Sequence, residues 1–367
     1  MTHSARRKFF RGCTCCTPAA TQAASTVNRR DFVAGGVAAL TFGAFAASTS
    51  IPRAAAQAKP HRIDVHHHIS PPTWIEAVKK ANRANPPMAN WSAQKSLEDM
   101  DKAGVATVIT SPTTPQVKFL DAADATRITR EANEYAKKLG TDHPGRFRMF
   151  GMLPLPHVDA SLKEIAYALD TLNADGICML TSYGDKWLGH PDFAPVMDEL
   201  HRRKAVVYTH PSTANCCVNL VADVQDSVVE FGTDTARTIA SLVFSGTTRR
   251  CPDIKFIFSH GGGTLTSITE RFTLQPRINP KLSAWTPEAM LAELRRFHYD
   301  TAQAANPVIM AALTKLVPIS QIVYGTDYPY RTGEEHVKGL AAVFSGDDLK
   351  AIDRENAVRL MPQLGTA

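Results

Sequence analysis

The chain has 367 residues, 44% hydrophobic and 21% charged, a globular composition that excludes disorder and a fibrous repeat. The formal charge of +6 includes arginines in an N-terminal segment expected to be removed, so it supports no nucleic-acid partner and none is expected. Three of the seven cysteines, Cys13, Cys15 and Cys16, lie in that segment. The others, Cys178, Cys216, Cys217 and Cys251, lack the paired spacing of a structural zinc site and read as free thiols.

In chain order the first signal is Asn28-Arg29-Arg30-Asp31-Phe32-Val33. An uncharged Ala- and Gly-rich stretch follows to about Ser50, and then Ala54-Ala55-Ala56-Gln57-Ala58. A charged segment with paired arginines, an apolar run and an Ala-x-Ala site predict a twin-arginine signal cleaved after Ala58. Residues 1–58 are thus expected to be a signal peptide and extension, and 59–367 one catalytic domain. Export places the mature protein in the periplasm or outside the cell, with no stable membrane insertion after processing.

From Ile63 onward, β-rich runs alternate with helical patterns, the signature of repeated βα units and a parallel sheet. The runs are 63–66, 107–111, 147–153, 176–180, 206–210, 254–259, 297–300 and 322–325. Helices are predicted over 121–139, 159–173, 225–244 and 306–316, and a further one over 347–361 closes the chain, with Asp or Asn near several starts. Eight units in about 300 residues predict an α/β fold, a (β/α)8 TIM barrel.

Barrel enzymes work at the carboxyl ends of their strands. The first run ends in His66-His67-His68, the fifth in Thr209-His210-Pro211, the sixth in Ser259-His260-Gly261, and the eighth in Gly325-Thr326-Asp327-Tyr328-Pro329. Alternate side chains of a strand share a side, so His66 and His68 face the barrel mouth together and His67 points away. With His210 and Asp327 they make a borderline nitrogen and oxygen donor set that suits zinc first, and manganese, iron or cobalt as well. The scattered His61, His143, His157, His190, His201, His298 and His336 read as structural. Gly261, Gly262 and Gly263 fit either a close backbone approach to a ligand or a simple tight turn.

Ile-Asp-Val-His-His-His-Ile at 63–69, Val-Tyr-Thr-His-Pro at 207–211, Phe-Ser-His-Gly-Gly-Gly at 258–263 and Tyr-Gly-Thr-Asp-Tyr-Pro at 324–329 carry a family resemblance. The chain resembles, over nearly all of 62–364, the amidohydrolase-related decarboxylases. That group includes 2-amino-3-carboxymuconate-6-semialdehyde decarboxylase and the γ-resorcylate, 5-carboxyvanillate and 6-methylsalicylate decarboxylases. Segments 181–189 and 299–302 look most like the 6-methylsalicylate branch. The resemblance implies that His66, His68, His210 and Asp327 bind the metal, that His260 is a catalytic acid or base, that Asp327 is a candidate proton donor, and that the protein is a homodimer.

The chemistry expected is non-oxidative decarboxylation of a small aromatic or dienoic carboxylic acid, salicylate-type first, with a divalent metal and no organic cofactor. The alternative is a hydrolase that cleaves an ester, lactone, amide or carbon–carbon bond at the same centre. Arg271 is a candidate partner for a substrate carboxylate or for a salt bridge on a barrel helix. Tyr183 and Trp91 are candidates for stacking on a ring.

Overall fold

A computed structural model describes residues 60–283 and 285–366. The expected export segment lies outside the described residues. Eight strands follow in the order expected: β1 (Arg62–His68), β2 (Val105–Ser111), β3 (Phe147–Met152), β4 (Gly176–Leu180), β5 (Val206–His210), β6 (Lys255–Phe258), β7 (His298–Asp300) and β8 (Ile322–Val323). Each is hydrogen-bonded in parallel to the next. The ring closes between β1 and the chain leaving β8. Val65 N–H donates to Tyr324 O at 3.0 Å, Asp327 N–H to His66 O at 2.8 Å and His68 N–H to Tyr328 O at 2.8 Å. The result is the predicted (β/α)8 TIM barrel.

Strands such as β4 and β5 are buried at every residue, as parallel strands covered on both faces must be. The interior holds Ile63, Val65, Ile109, Phe150, Tyr208, Ile257 and Val323. Leu360, Met361 and Leu364 join this cluster and close the end where the strands begin. The last helical segment therefore plugs the base of the barrel, opposite the histidines. It is not the continuous helix predicted. Helices Gly346–Lys350 and Asn356–Leu360 flank a π-helical turn, Ala351–Glu355.

Two of the other predicted helices start where capping chemistry puts them. Asp121 caps Ala122–Asp142 by accepting from Asp124 N at 2.9 Å, and Asn306 caps Pro307–Leu316 by accepting from Val308 N and Ile309 N. Helix Val158–Ala166 ends in a second π-helical turn, Tyr167–Thr171. A small antiparallel ribbon, Ser182–Tyr183 with Lys186–Trp187, follows β4. Among the described residues no helix is long and apolar enough to cross a membrane, and the four described cysteines are free thiols, Cys216 exposed and the others buried.

Candidate functional site

Four side chains from three strand ends meet at the barrel mouth. His66 and His68 leave the end of β1, His210 the end of β5 and Asp327 the loop after β8. All four are buried, and one ligand atom from each lies within 4.8 Å of the others. His66 Nε2 stands 3.1 Å from His68 Nε2, and Asp327 Oδ1 lies 3.2 and 3.0 Å from these two nitrogens. His67 points away, to Asp64 Oδ2 at 3.2 Å and Ser96 Oγ at 2.9 Å.

The far nitrogens of the three rings explain the arrangement. His66 Nδ1 donates to Asp300 Oδ2 at 2.8 Å, His68 Nδ1 to Ser111 O at 3.1 Å and His210 Nδ1 to Pro211 O at 2.8 Å. Each partner is an oxygen acceptor, so each Nδ1 carries the proton and each Nε2 turns a lone pair toward the centre. Three converging lone pairs and a carboxylate, all withdrawn from water, require a cation between them, and these residues fit a divalent metal. The electrostatics agree. Burial opposes a charge on His66, yet the Asp300 and Asp327 carboxylates overcome it and push its pKa up to about 10. Burial drives His68 and His210 below the usual histidine range. Burial would raise Asp327, but the surrounding imidazoles hold it well below the carboxylate range. The pocket thus holds a charge pattern that a proton on His66 balances only in part and a divalent cation balances better.

Asp327 divides its two oxygens. Oδ1 faces the histidines, while Oδ2 faces a cavity of about 520 Å³ and accepts from Gln303 Nε2 at 2.8 Å. His260, in the loop after β6, brings its Nε2 to 3.4 Å from Oδ2 without a hydrogen bond to it, and that nitrogen is buried with no other partner. Its ring stacks on His66 with centroids 5.2 Å apart, and its N–H donates to Asp300 Oδ1 at 2.8 Å. Asp300 therefore orients a donor ring of the cluster with one oxygen and the loop that carries His260 with the other. Gly263 shows why this loop needs glycine. It has φ 61°, and a Cβ there would lie 2.1 Å from the Gly232 carbonyl of helix Asp226–Phe244. Close packing of that helix brings Val228 and Phe231 to the cavity wall.

A family model described as amidohydrolase matches residues 63–362. The chain belongs to the amidohydrolase family. This amidohydrolase is 37% identical to a decarboxylase of Aspergillus niger over 82% of this chain and 88% of that one. It is 32% identical to the 6-methylsalicylic acid decarboxylase of Aspergillus aculeatus over 83% of this chain and 97% of the relative. A solved structure of an amidohydrolase II, 26% identical, matches with a TM-score of 0.76 over 82% of this chain and 99% of that one.

The structure of the amidohydrolase brings together His66, His68, His210, Asp327 and His260 but not the three expected substrate contacts. Tyr183 is a core residue: it is 3% exposed, accepts Leu180 N–H at 2.9 Å and packs edge-on against Phe193. Trp91 packs against Tyr135 and donates to Ser96 Oγ at 2.9 Å. Arg271 is exposed on helix Leu265–Ile278, away from the cavity wall, and forms no ion pair among the described residues. The cavity is lined instead by Asn85, Thr113, Gln303 and Tyr330 with Val228, Phe231 and Ile309. Asn85 and Tyr330 pair through Asn85 Nδ2 and Tyr330 Oη at 3.1 Å. Asp300 ends a strand run, a signal that could have marked it. Asn85, Gln303 and Tyr330 lie in loops with no such signal.

Proposed function

We propose that this amidohydrolase is a metal-dependent, non-oxidative decarboxylase of an ortho-hydroxy aromatic acid of the salicylate type, a carboxy-lyase with no organic cofactor. The observation that carries the reading is His260, an imidazole at the cavity wall beside the metal-binding set whose Nε2 atom is buried without a hydrogen bond. Decarboxylation of a ring needs a proton delivered to the carbon that bears the anchored carboxylate, and an imidazole so placed suits that task. The names of the two relatives, which match over most of their length, support the same chemistry.

A divalent ion held by His66, His68, His210 and Asp327 would supply Lewis acidity toward the substrate's carboxylate and hydroxyl oxygens. Zinc is proposed on the donor set, with manganese the second choice. His260 moves the proton onto the ring carbon that bears the carboxylate. The bond from that carbon to the carboxyl group then breaks, CO2 leaves, and the bonding pair restores the aromatic ring. Gln303 ties up Asp327 Oδ2 as an acceptor, which favours His260 over Asp327 as the proton carrier. We carry forward two further proposals. One is export by the twin-arginine route, from the N-terminal motif. The other is a homodimer, supported by the family resemblance and by the exposed Val218, Leu220, Val221 and Val224.

The test is CO2 release from ortho-hydroxybenzoates by the metal-loaded enzyme, compared with Asp327→Asn. Loss of both bound metal and CO2 release in the variant is expected. Full activity in Asp327→Asn would sink the proposed centre, and ester or lactone cleavage without CO2 release would transfer the reading to a hydrolase.

A further inference from the structure

The cavity beside the metal-binding set has an unusual charge inventory for a site expected to hold an organic acid. Among the described residues that line it there is no lysine and no arginine. Its ionisable members are His210, His260, Asp327 and Tyr330, and all of these except Tyr330 belong to the site already described. Burial pushes the Tyr330 phenol up to about 12, so it is a neutral donor and acceptor. Its Oη is paired with Asn85, and its ring meets His68 edge-on at 6.0 Å. The rest of the wall is uncharged: Phe231, Ile309 and Val228, the last 72% exposed at the rim, alternate with the amides and hydroxyls of Thr113, Gln225, Ser227 and Gln303. Lys118, in the loop after β2, does not line the cavity. It gives its ammonium to Ser212 Oγ and the Thr213 carbonyl instead.

An acid anchored through one carboxylate at the metal-binding set has that charge matched there. A second carboxylate on the same ring has nowhere to go. Away from the metal-binding set and the single imidazole of His260, the described lining offers only apolar side chains, neutral amides and hydroxyls. Withdrawing an anion from water without a counter-charge is strongly unfavourable, whereas an uncharged substituent of the same size loses little. A site can reject a ligand simply by offering its extra charge no partner.

We infer that this cavity selects ring acids carrying a single negative charge and excludes dianionic acids of the same shape. Uncharged substituents, alkyl groups among them, are accepted against the Phe231, Ile309 and Val228 wall. The inference rests on the decarboxylase reading only for the placement of the first carboxylate.

Three salicylates that differ at one ring position separate charge from size: 6-methylsalicylate, 6-nitrosalicylate and 3-hydroxyphthalate, which carry methyl, nitro and carboxylate there. Dissociation constants are measured at pH 8 by titration calorimetry on zinc-loaded His260→Asn enzyme, so that bound acids persist, with CO2 release by the unaltered enzyme followed in parallel. The methyl and nitro acids should bind within about tenfold of each other, and the dianion more weakly than the nitro acid by on the order of a hundredfold. A gap of about tenfold or less between nitro and carboxylate overturns the inference, as does a nitro acid as weak as the dianion, which would make size the cause. Val228→Arg, at an exposed rim position that tolerates a long side chain, should narrow the gap, and an unchanged gap contradicts charge as its origin. If the binding order holds but no acid releases CO2, the charge selection stands and the decarboxylase reading falls. If no acid binds, both fall.

Discussion

Asp327 and His260, like Gln303 at the cavity wall, share an uncommon backbone feature. Both have positive φ, 64° and 56°, a region that residues with side chains enter rarely and at a cost. Both are held there by main-chain hydrogen bonds: Asp327 N–H to His66 O, and His260 N–H to Asp300 Oδ1. Asp300 thus holds two parts of the site together. Replacing it by Ala should lower metal affinity by about 10- to 100-fold, the usual effect of losing a partner that orients a ligand. Metal content after dialysis against a graded chelator checks this, and unchanged retention would remove Asp300 from the account. His260→Asn should behave differently, with metal retained and kcat falling by about 10²- to 10⁴-fold. Loss of metal in that variant would make His260 a structural residue. The ligand set was legible in the sequence because strand ends in a barrel converge and the residue types there are diagnostic. The role of Asp300 was not, although it lies in a segment that carried the family resemblance. Spacing names a residue at a strand end but not the hydrogen bonds it makes.

At the scale of elements, the eight strands were readable because buried parallel strands are short runs of β-branched and aromatic residues bounded by turns. The two π-helical turns were not, since one extra residue in a helix leaves hydrophobic periodicity almost unchanged over so short a span. The expected aromatic contacts failed for a related reason. Tyr183 belongs to a ribbon folded back after β4, and a two-residue strand leaves no periodic trace, while Trp91 turns to Tyr135 and Ser96. Pairing between elements depends on polar groups that sequence patterns also miss. Asn133, on helix Ala122–Asp142, accepts from Met152 N at 2.8 Å and donates to Met152 O and Glu164 Oε1 at 2.9 and 2.8 Å, all buried. Glu164 in turn receives Arg130 Nε and Nη2 at 2.9 and 2.8 Å. Asn133→Leu leaves the end of β3 and one carboxylate oxygen unsatisfied, and should destabilise the fold by roughly 2–4 kcal/mol. Urea unfolding monitored by circular dichroism checks the value, and a change below about 0.5 kcal/mol would show that water replaces the amide.

For the whole molecule, the two ends of the barrel have separate tasks. Leu360, Met361 and Leu364 seal the base with apolar bulk, while the mouth concentrates buried charge. Acid stability is expected to depend in part on a group remote from the mouth. His298, at the start of β7, has its pKa lowered to about 4, first by burial and then by Arg359 and Lys255. A histidine with a depressed folded pKa takes up its proton more readily when unfolded. Stability is therefore lost as pH falls from about 6.5 toward about 4. The loss assigned to this residue is on the order of 2 kcal/mol, and His298→Gln should flatten that part of the profile. Equal slopes for the two proteins between pH 7 and 4.5 would refute it. The measurement that bears most directly on the central claim is the stoichiometry of CO2 and 3-methylphenol produced from 6-methylsalicylate by the metal-loaded enzyme. Equal amounts of the two products, abolished by a chelator and restored by added metal, are predicted. A fully metal-loaded enzyme that releases no CO2 from any ortho-hydroxybenzoate, yet hydrolyses esters or lactones, would contradict it.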